Sequence, residues 1–557
     1  ICRTRICAAF VRRAFRTRKL PARHMRGEMS IHTLGTCSRE IHGRRRAIEL
    51  GLVAAFCVLG LAGILHHEMW RDELQAWLIA RDSATLAELF RNVRYENHPA
   101  LWHLLLYLIT RFTPNPLAMQ LLHLLIATVS VYMVIRYAPF STFQKVMFCL
   151  GYFPLFEYCV ISRCYALGVA LLLLFCVLYT RRRGLIPISM TLFLLCQTSA
   201  VGIVVAMAIT IFLVMDGRLR PSSAEGRGGL MAAIVILWFG FIIAMVQLKS
   251  PGVDRDVLRM FARRNQPDRF QQSLATLWRA HVPLPPPGID FWEWNIVRSL
   301  RIQYLLAIPL VAAIAFTFLG RPSLFVLYLT ATAGLVAFFQ FVHLGNLRHH
   351  GYMFMMTVVC LWLNNDPARR WAPRWGSGPR WANALLTVLL IIHAVGGMSA
   401  YARDLGYPFS VSSAVARYIK SHKLDKMEMI GYEDFFVSPV TAYIDRPMYY
   451  AEAGRSGTFI VWDYKNRKVV RERGLLREAQ EMAERGKGDV LIVANYRILD
   501  DAIATGRWRH PVRKIAEFPR GIVPYEEYSL YIVQYVRVSQ TPQGVKSSGM
   551  PRIPPAG

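Results

Sequence analysis

From residue 48 to residue 401 the chain is a succession of apolar stretches, most of them closed by charge. Residues 48–66, IELGLVAAFCVLGLAGILH, are long enough as a helix to cross a bilayer. The texture then changes. LQAWLIA and LAELF set apolar residues at helical spacing with polar ones opposite, which predicts a helix lying in the membrane interface. PALWHLLLYLITRF (99–112) is short for a crossing, and its Trp102, His103 and Tyr107 also suit the interface. Crossing segments resume at 117–135, 145–161 and 165–180, then as a helical pair in 185–215 turning near Thr198 and Ser199. Further crossings follow at 229–248, 303–319, 323–342, 352–364 and 383–401, about eleven in all.

Charge gives these segments a direction. Arg44, Arg45 and Arg46 precede the first crossing, Arg181, Arg182 and Arg183 follow the fourth, and Arg369, Arg370, Arg374 and Arg380 precede the last. Threading the chain outward through the first crossing places all of these clusters on the cytoplasmic side, as the positive-inside rule requires. Loops 66–115 and 249–300 are then external, and the latter holds Pro283, Pro285, Pro286, Pro287 and the pair Trp292 and Trp294, read as interfacial. Everything after residue 401 is external too.

That last part has ordinary globular composition. MEMIGYE, DVLIVANY and EEYSLYIVQYV read as strands, and VVRERGLLREAQEMAERG as a helix, which predicts a small soluble α/β domain over 402–540. Residues 541–557, with several Pro and Gly, are expected to be disordered. Residues 1–46 are basic and irregular, and are expected to be a cytoplasmic tail or translation upstream of a start at Met25 or Met29. The fold class is thus a polytopic α-helical membrane domain (47–401) with a small α/β carboxy-terminal domain.

Composition agrees: 54% of the 557 residues are hydrophobic and only 18% charged, against about a quarter in soluble proteins. The formal charge of +30 sits in the tail, at span ends and diffusely in the last domain. That distribution fits anionic lipid headgroups and argues against nucleic acid. Of the ten Cys, Cys57, Cys149, Cys176, Cys196 and Cys360 lie in apolar runs, and none follows Cys360, so no disulfide framework is expected.

Four polar groups fall on the external face. W-R-D-E (Trp70 to Glu73) follows the first crossing, and a carboxylate there can take a proton from an acceptor hydroxyl; snorkelling with Arg71 as counter-charge is the plainer explanation. E-N-H-P (Glu96 to Pro99) puts His98 at a helix start, where free N–H groups attract anions. S-R-C-Y (Ser162 to Tyr165) contributes Arg163 and Tyr165, and L-R-H-H-G (Leu347 to Gly351) contributes Arg348, His349 and His350 where positive charge is disfavoured. An acid pair beside several cations can hold an anionic lipid phosphate next to a base.

The order of these elements resembles the C-type glycosyltransferases that use polyprenyl-phosphate sugars, a group that includes protein O-mannosyltransferases and the lipid A aminoarabinose transferase. The resemblance rests on Asp72-Glu73 after the first span, His98-Pro99 before an interfacial helix and Arg163 after the third span, and covers about residues 48–215. L-R-H-H-G and the last domain look more like uncharacterised bacterial members. The chain departs from the pattern at Ala100, where a second Pro is common, and in 166–174, which lacks the usual acid.

The resemblance implies an inverting transfer from a polyprenyl-phosphate sugar to an extracytoplasmic glycan, lipid or protein acceptor, in a bacterial inner membrane. The acidic pair Asp72 and Glu73 would be catalytic, with Asp72 as base. Arg71, His98, Arg163, Tyr165, Arg348, His349 and His350 would bind substrate. Membrane lipids are the other expected partners. A divalent metal near the carboxylates is compatible with these residues, although no spacing calls for one. The rivals are a transporter or lipid flippase, which should show inverted repeats and mid-membrane acids, and an anchor for the last domain. No convincing repeat is found, and Glu157 is the only acid well inside 145–161.

Overall fold

The computed structural model describes residues 31–219, 224–249, 267–366, 379–463, 466–495 and 499–537. The expectations for the extreme amino-terminal residues and for 541–557 lie outside them. The chain divides at Gly51. Of residues 1–51, the described part is the start of the helix Ile31–His66, where Arg45 Nε meets Glu49 Oε1 one turn on, at 3.0 Å. All else below belongs to 52–557.

Among the described residues, five helices are long and apolar enough to cross a membrane: Gly43–His66, Leu117–Tyr137, Arg227–Leu248, Pro322–Phe341 and Arg380–Gly406. Five further apolar helices among them are shorter: Leu101–Thr110, Cys164–Thr180, Leu185–Cys196, Ala200–Met215 and Leu300–Phe316. The pair expected in 185–215 turns at Ser199, whose hydroxyl caps the second helix through Gly202 N. Leu347–Asn364 is the central helix, buried along its length between Cys164–Thr180, Pro267–His281 and Pro322–Phe341.

Three expectations need correction. Residues 145–161 are not one crossing helix. An α-helix ends at Cys149, and a π-helical turn, Tyr152–Glu157, follows Gly151. Pro154 lacks the N–H that an α ladder would use, and the wider turn closes through Tyr158 N to Phe153 O at 2.8 Å. The segment packs on Arg380–Gly406, where a side chain at Gly397 would strike the Leu150 carbonyl. Second, LQAWLIA and LAELF belong to two helices, Arg71–Asp82 and Leu86–Val93, and the first is not a surface helix: Glu73 to Ala80 are all buried. The carboxy-terminal helix Asp434–Ile444 covers it, so its polar face meets protein. Third, Trp292 is not interfacial. It is buried, edge-on to Trp70 at 4.8 Å, while Trp294 is exposed.

The carboxy-terminal domain is a six-stranded mixed sheet. Its strands are β1 (Glu428–Tyr432), β2 (Met448–Tyr450), β3 (Arg455–Gly457), β4 (Val490–Asn495), β5 (Val512–Phe518) and β6 (Tyr528–Val533), in the order β3-β2-β1-β4-β6-β5. β1 and β4 run parallel through Ile430↔Ile492, and β6 lies antiparallel to β4 through Ile492↔Tyr531. Alternate residues feed two cores. Met429, Leu491, Val493 and Leu530 pack with Ser412–Ser421 and Asp434–Ile444, whereas Ile430, Ile492 and Tyr531 pack with Glu472–Gly486. The seven described cysteines are free.

Candidate active site

Asp72 sits in the first turn of Arg71–Asp82, where the helix dipole favours a carboxylate. Its Oδ2 accepts from Arg348 Nη2 at 2.9 Å, and Arg163 Nη2 stands 3.9 Å away. Arg163 also donates to the Asp72 carbonyl, and Arg71 Nε lies 3.5 Å from Oδ1. Burial pushes the Asp72 carboxyl up, but Arg163, Arg348 and Arg71 outweigh it and hold the group below its ordinary value. About a quarter of the side chain remains exposed.

Each cation is itself held. Arg163 follows the π-helical segment in extended backbone as N-cap of Cys164–Thr180. Arg348 opens the central helix; its carbonyl accepts from Tyr158 Oη at 2.7 Å and its Nη1 lies 3.6 Å from Glu293 Oε1. The glycine of L-R-H-H-G allows this packing, because a Cβ at Gly351 would collide with the Tyr158 hydroxyl and the Phe153 ring. Arg71 stacks over Phe435 and Phe436 of the last domain, at 5.3 and 4.9 Å.

Several donors around Asp72 have no hydrogen-bond acceptor. Among the described residues, Arg163 Nε and Arg348 Nε are buried without one, and Arg348 Nη1 has only the more distant Glu293 Oε1. Buried guanidinium N–H groups are rarely left so. His98 faces the Tyr165 ring edge-on at 6.0 Å, and burial with the nearby Arg163 lowers it to about 3, so it is neutral. Tyr165 Oη meets His349 Nε2 at 2.7 Å. The Asn346 backbone N–H can only donate, so His349 Nδ1 accepts from it at 2.9 Å and Nε2 carries the proton. Tyr165 therefore receives from His349 and keeps its own proton to donate.

Of the nine residues singled out in the sequence, the structure gathers seven here: Arg71, Asp72, His98, Arg163, Tyr165, Arg348 and His349. Glu73 turns the other way. It is fully buried, accepting from Ser162 N at 2.6 Å and Trp70 N at 3.2 Å, with its Oε2 3.1 Å from His67 Nε2. His67 Nδ1 lies 3.1 Å from Asp404 Oδ1. Burial opposes charge on His67, but Asp404 and Glu73 prevail and raise it to about 10, so it is an imidazolium between two carboxylates. His350 also points elsewhere, with Nε2 on Leu344 O at 3.0 Å.

His67, Asp404 and Glu293 join the site without standing out in the sequence. The only signal for Glu293 was an acid between two tryptophans, and for His67 its place at the end of the first crossing. Glu96 belongs to the site's margin: burial raises it to about 7, and its Oε1 accepts from Gln75 Nε2 at 2.9 Å. Gln75 also exchanges both amide bonds with the backbone of Ile460, at 2.7 and 3.1 Å. Among the described residues no group of three or more His, Cys, Asp or Glu is arranged to hold a metal ion.

No protein-family model matches the chain, and no curated protein matches it. Among solved structures it is similar to ArnT from Cupriavidus metallidurans bound to undecaprenyl phosphate, with 12% identity, a TM-score of 0.44, and coverage of 89% of this chain and 99% of that one.

Proposed function

We propose that the protein is an inner-membrane glycosyltransferase that moves a sugar from a polyprenyl-phosphate donor to an extracytoplasmic acceptor. The observation that carries this reading is the set of buried guanidinium N–H donors without acceptors around one partly exposed, ionised carboxylate, Asp72. Cations so placed suit a phosphate, and the surrounding membrane helices suit one attached to a lipid. A carboxylate beside them suits a base.

In the proposed step the donor phosphate lies against Arg163 and Arg348, with the neutral His98 and the Tyr165 hydroxyl as further donors. Asp72 takes the proton of an acceptor hydroxyl as its oxygen bonds to the anomeric carbon from the face opposite the phosphate. The bond from that carbon to the phosphate oxygen breaks, and its electron pair leaves with the lipid phosphate, whose new charge the arginines meet. The sugar's configuration inverts. Glu73, tied to His67 and Ser162, positions Asp72 rather than taking the proton itself.

The purified protein, incubated with a panel of polyprenyl-phosphate sugars and hydroxyl acceptors, should release lipid phosphate with at least one donor, and Asp72→Asn should not. Release by Asp72→Asn at the wild-type rate would refute the assignment of the base. Release from no donor in the panel would refute the reading itself.

A further inference from the structure

A cleft of about 800 Å³ opens beside the Asp72 site, sharing Glu293 with it. One wall is the loop after Pro286 with the start of the central helix, and the other is the carboxy-terminal loop around Tyr525. Its charged lining balances: Arg279, Arg298 and Arg520 stand against Asp290, Glu293 and Glu527. Arg520 Nη1 spans the two walls to Asp290 Oδ1 at 2.6 Å. A polyanion finds no surplus of positive charge here, in contrast to the Asp72 site.

Two aromatic rings stand out at the cleft, and both are displayed in the same way. Trp294 is 57% exposed although Phe291, Trp292 and Asn295 around it are buried. Tyr525 is 68% exposed between the buried Val523 and Glu526. Each loop is anchored beneath its ring. Ile296 N bonds Leu284 O at 2.8 Å and Asn295 Nδ2 bonds Val282 O at 2.6 Å. Ile522 and Val523 bond the carbonyls of Pro408 and Phe409, both at 3.0 Å.

The backbone is strained at the same place. Glu293 (φ 67°) and Tyr525 (φ 64°) both line the cleft in the left-handed region, which residues other than glycine rarely adopt. Such conformations persist where the surrounding structure holds them, and they cluster at binding sites.

We infer that this cleft is a carbohydrate-binding site that holds a neutral glycan acceptor against Trp294 and Tyr525, with its hydroxyls toward the paired arginines and carboxylates. Exposed rings offer apolar faces to the C–H side of a pyranose, and side chains that both donate and accept suit its hydroxyls. A lipid-interface role for the rings would not call for a charge-balanced polar cleft between them. The role as acceptor site rests on the transferase reading, whereas carbohydrate binding does not.

The test uses the full chain in lipid nanodiscs, with neutral tetrasaccharides of glucose, mannose and xylose as probes, and pyrophosphate and a neutral tetrapeptide as controls. Saturation-transfer NMR and calorimetry should detect at least one tetrasaccharide and neither control at the cleft. Trp294→Ala and Tyr525→Ala should each weaken that binding by roughly three- to tenfold, and Trp294→Phe should keep most of it. Unchanged melting of the variants separates lost contact from lost fold. Binding of no tetrasaccharide, or equal binding by wild type and both alanine variants, overturns the inference. Polyprenyl-phosphate binding is measured in parallel, and should depend on Arg348 and not on Trp294. If saccharide binds and lipid phosphate does not, the transferase reading fails while the cleft assignment stands.

Discussion

The backbone N–H of Ser162 donates to Glu73 Oε1 at 2.6 Å. This bond ties the residue before Arg163 to the residue after Asp72, and so sets cation and carboxylate at their spacing. Two neighbours in sequence thereby acquire separate tasks, one facing the accessible side and the other the protein.

That division predicts different kinetics for the two acids. Asp72→Asn keeps shape and loses the proton acceptor, so turnover should fall by roughly 10²-fold or more while donor affinity survives. Glu73→Gln leaves the imidazolium of His67 short of one carboxylate. It should destabilise the fold by about 3–5 kcal/mol, as expected for a broken buried ion pair. Activity lost with Glu73→Gln at unchanged melting temperature, with Asp72→Asn active, would exchange the two assignments.

Arg348→Ala removes both the partner of Asp72 and a donor to the proposed phosphate. Affinity for the donor lipid should fall by roughly ten- to a hundredfold, since a charged hydrogen bond contributes about 1.5–3 kcal/mol. Calorimetric titration with polyprenyl phosphate reads this without turnover. Unaltered affinity would remove Arg348 from the phosphate site.

His67 makes stability depend on pH. Its folded value, about 10, lies above the ordinary 6.5, so the folded state binds the extra proton. The contribution is complete below about 6.5 and is lost as pH rises through about 10. The buried acids Glu96 and Glu526, both raised to about 7, have finished titrating by about pH 8. Between about pH 8 and 10 the melting temperature should therefore fall in the wild type, and fall less in His67→Gln. Parallel curves would place the titration elsewhere.

Reporter fusions after Arg183 and after Arg380 should read cytoplasmic, and one after Asp404 should read external, following the basic clusters at 181–183 and 369–380. A cytoplasmic reading after Asp404 would put the site on the wrong face for a donor sugar delivered outside.

Much of this architecture is legible in the chain because hydropathy and charge are local properties. Leu117–Tyr137 and Pro322–Phe341 lie within two residues of the segments expected at 117–135 and 323–342. Strands β1, β4 and β6 fall inside MEMIGYE, DVLIVANY and EEYSLYIVQYV. β2 and β3 have three residues each, too few for a period, and β5 carries Arg513, Lys514 and Glu517 at the sheet edge, which masks its apolar positions. In the site, Asp72, Arg163 and Arg348 were visible as charges at the ends of apolar runs. Their supporters were not: His67 and Asp404 are separated by 337 positions, and nothing local marks either as the other's partner.

Gln75 answers Ile460 as one strand residue answers another, giving and receiving a bond with a single amide. Farther along the same helix, Arg81 meets Asp445 at 3.0 Å and Asp82 accepts from the Thr458 hydroxyl. The last domain therefore holds this helix at two places, and Asp72 is one turn from the first of them. The helix that carries Asp72 is thus laced into the last domain, and its carboxylate takes its bearing from both parts of the protein.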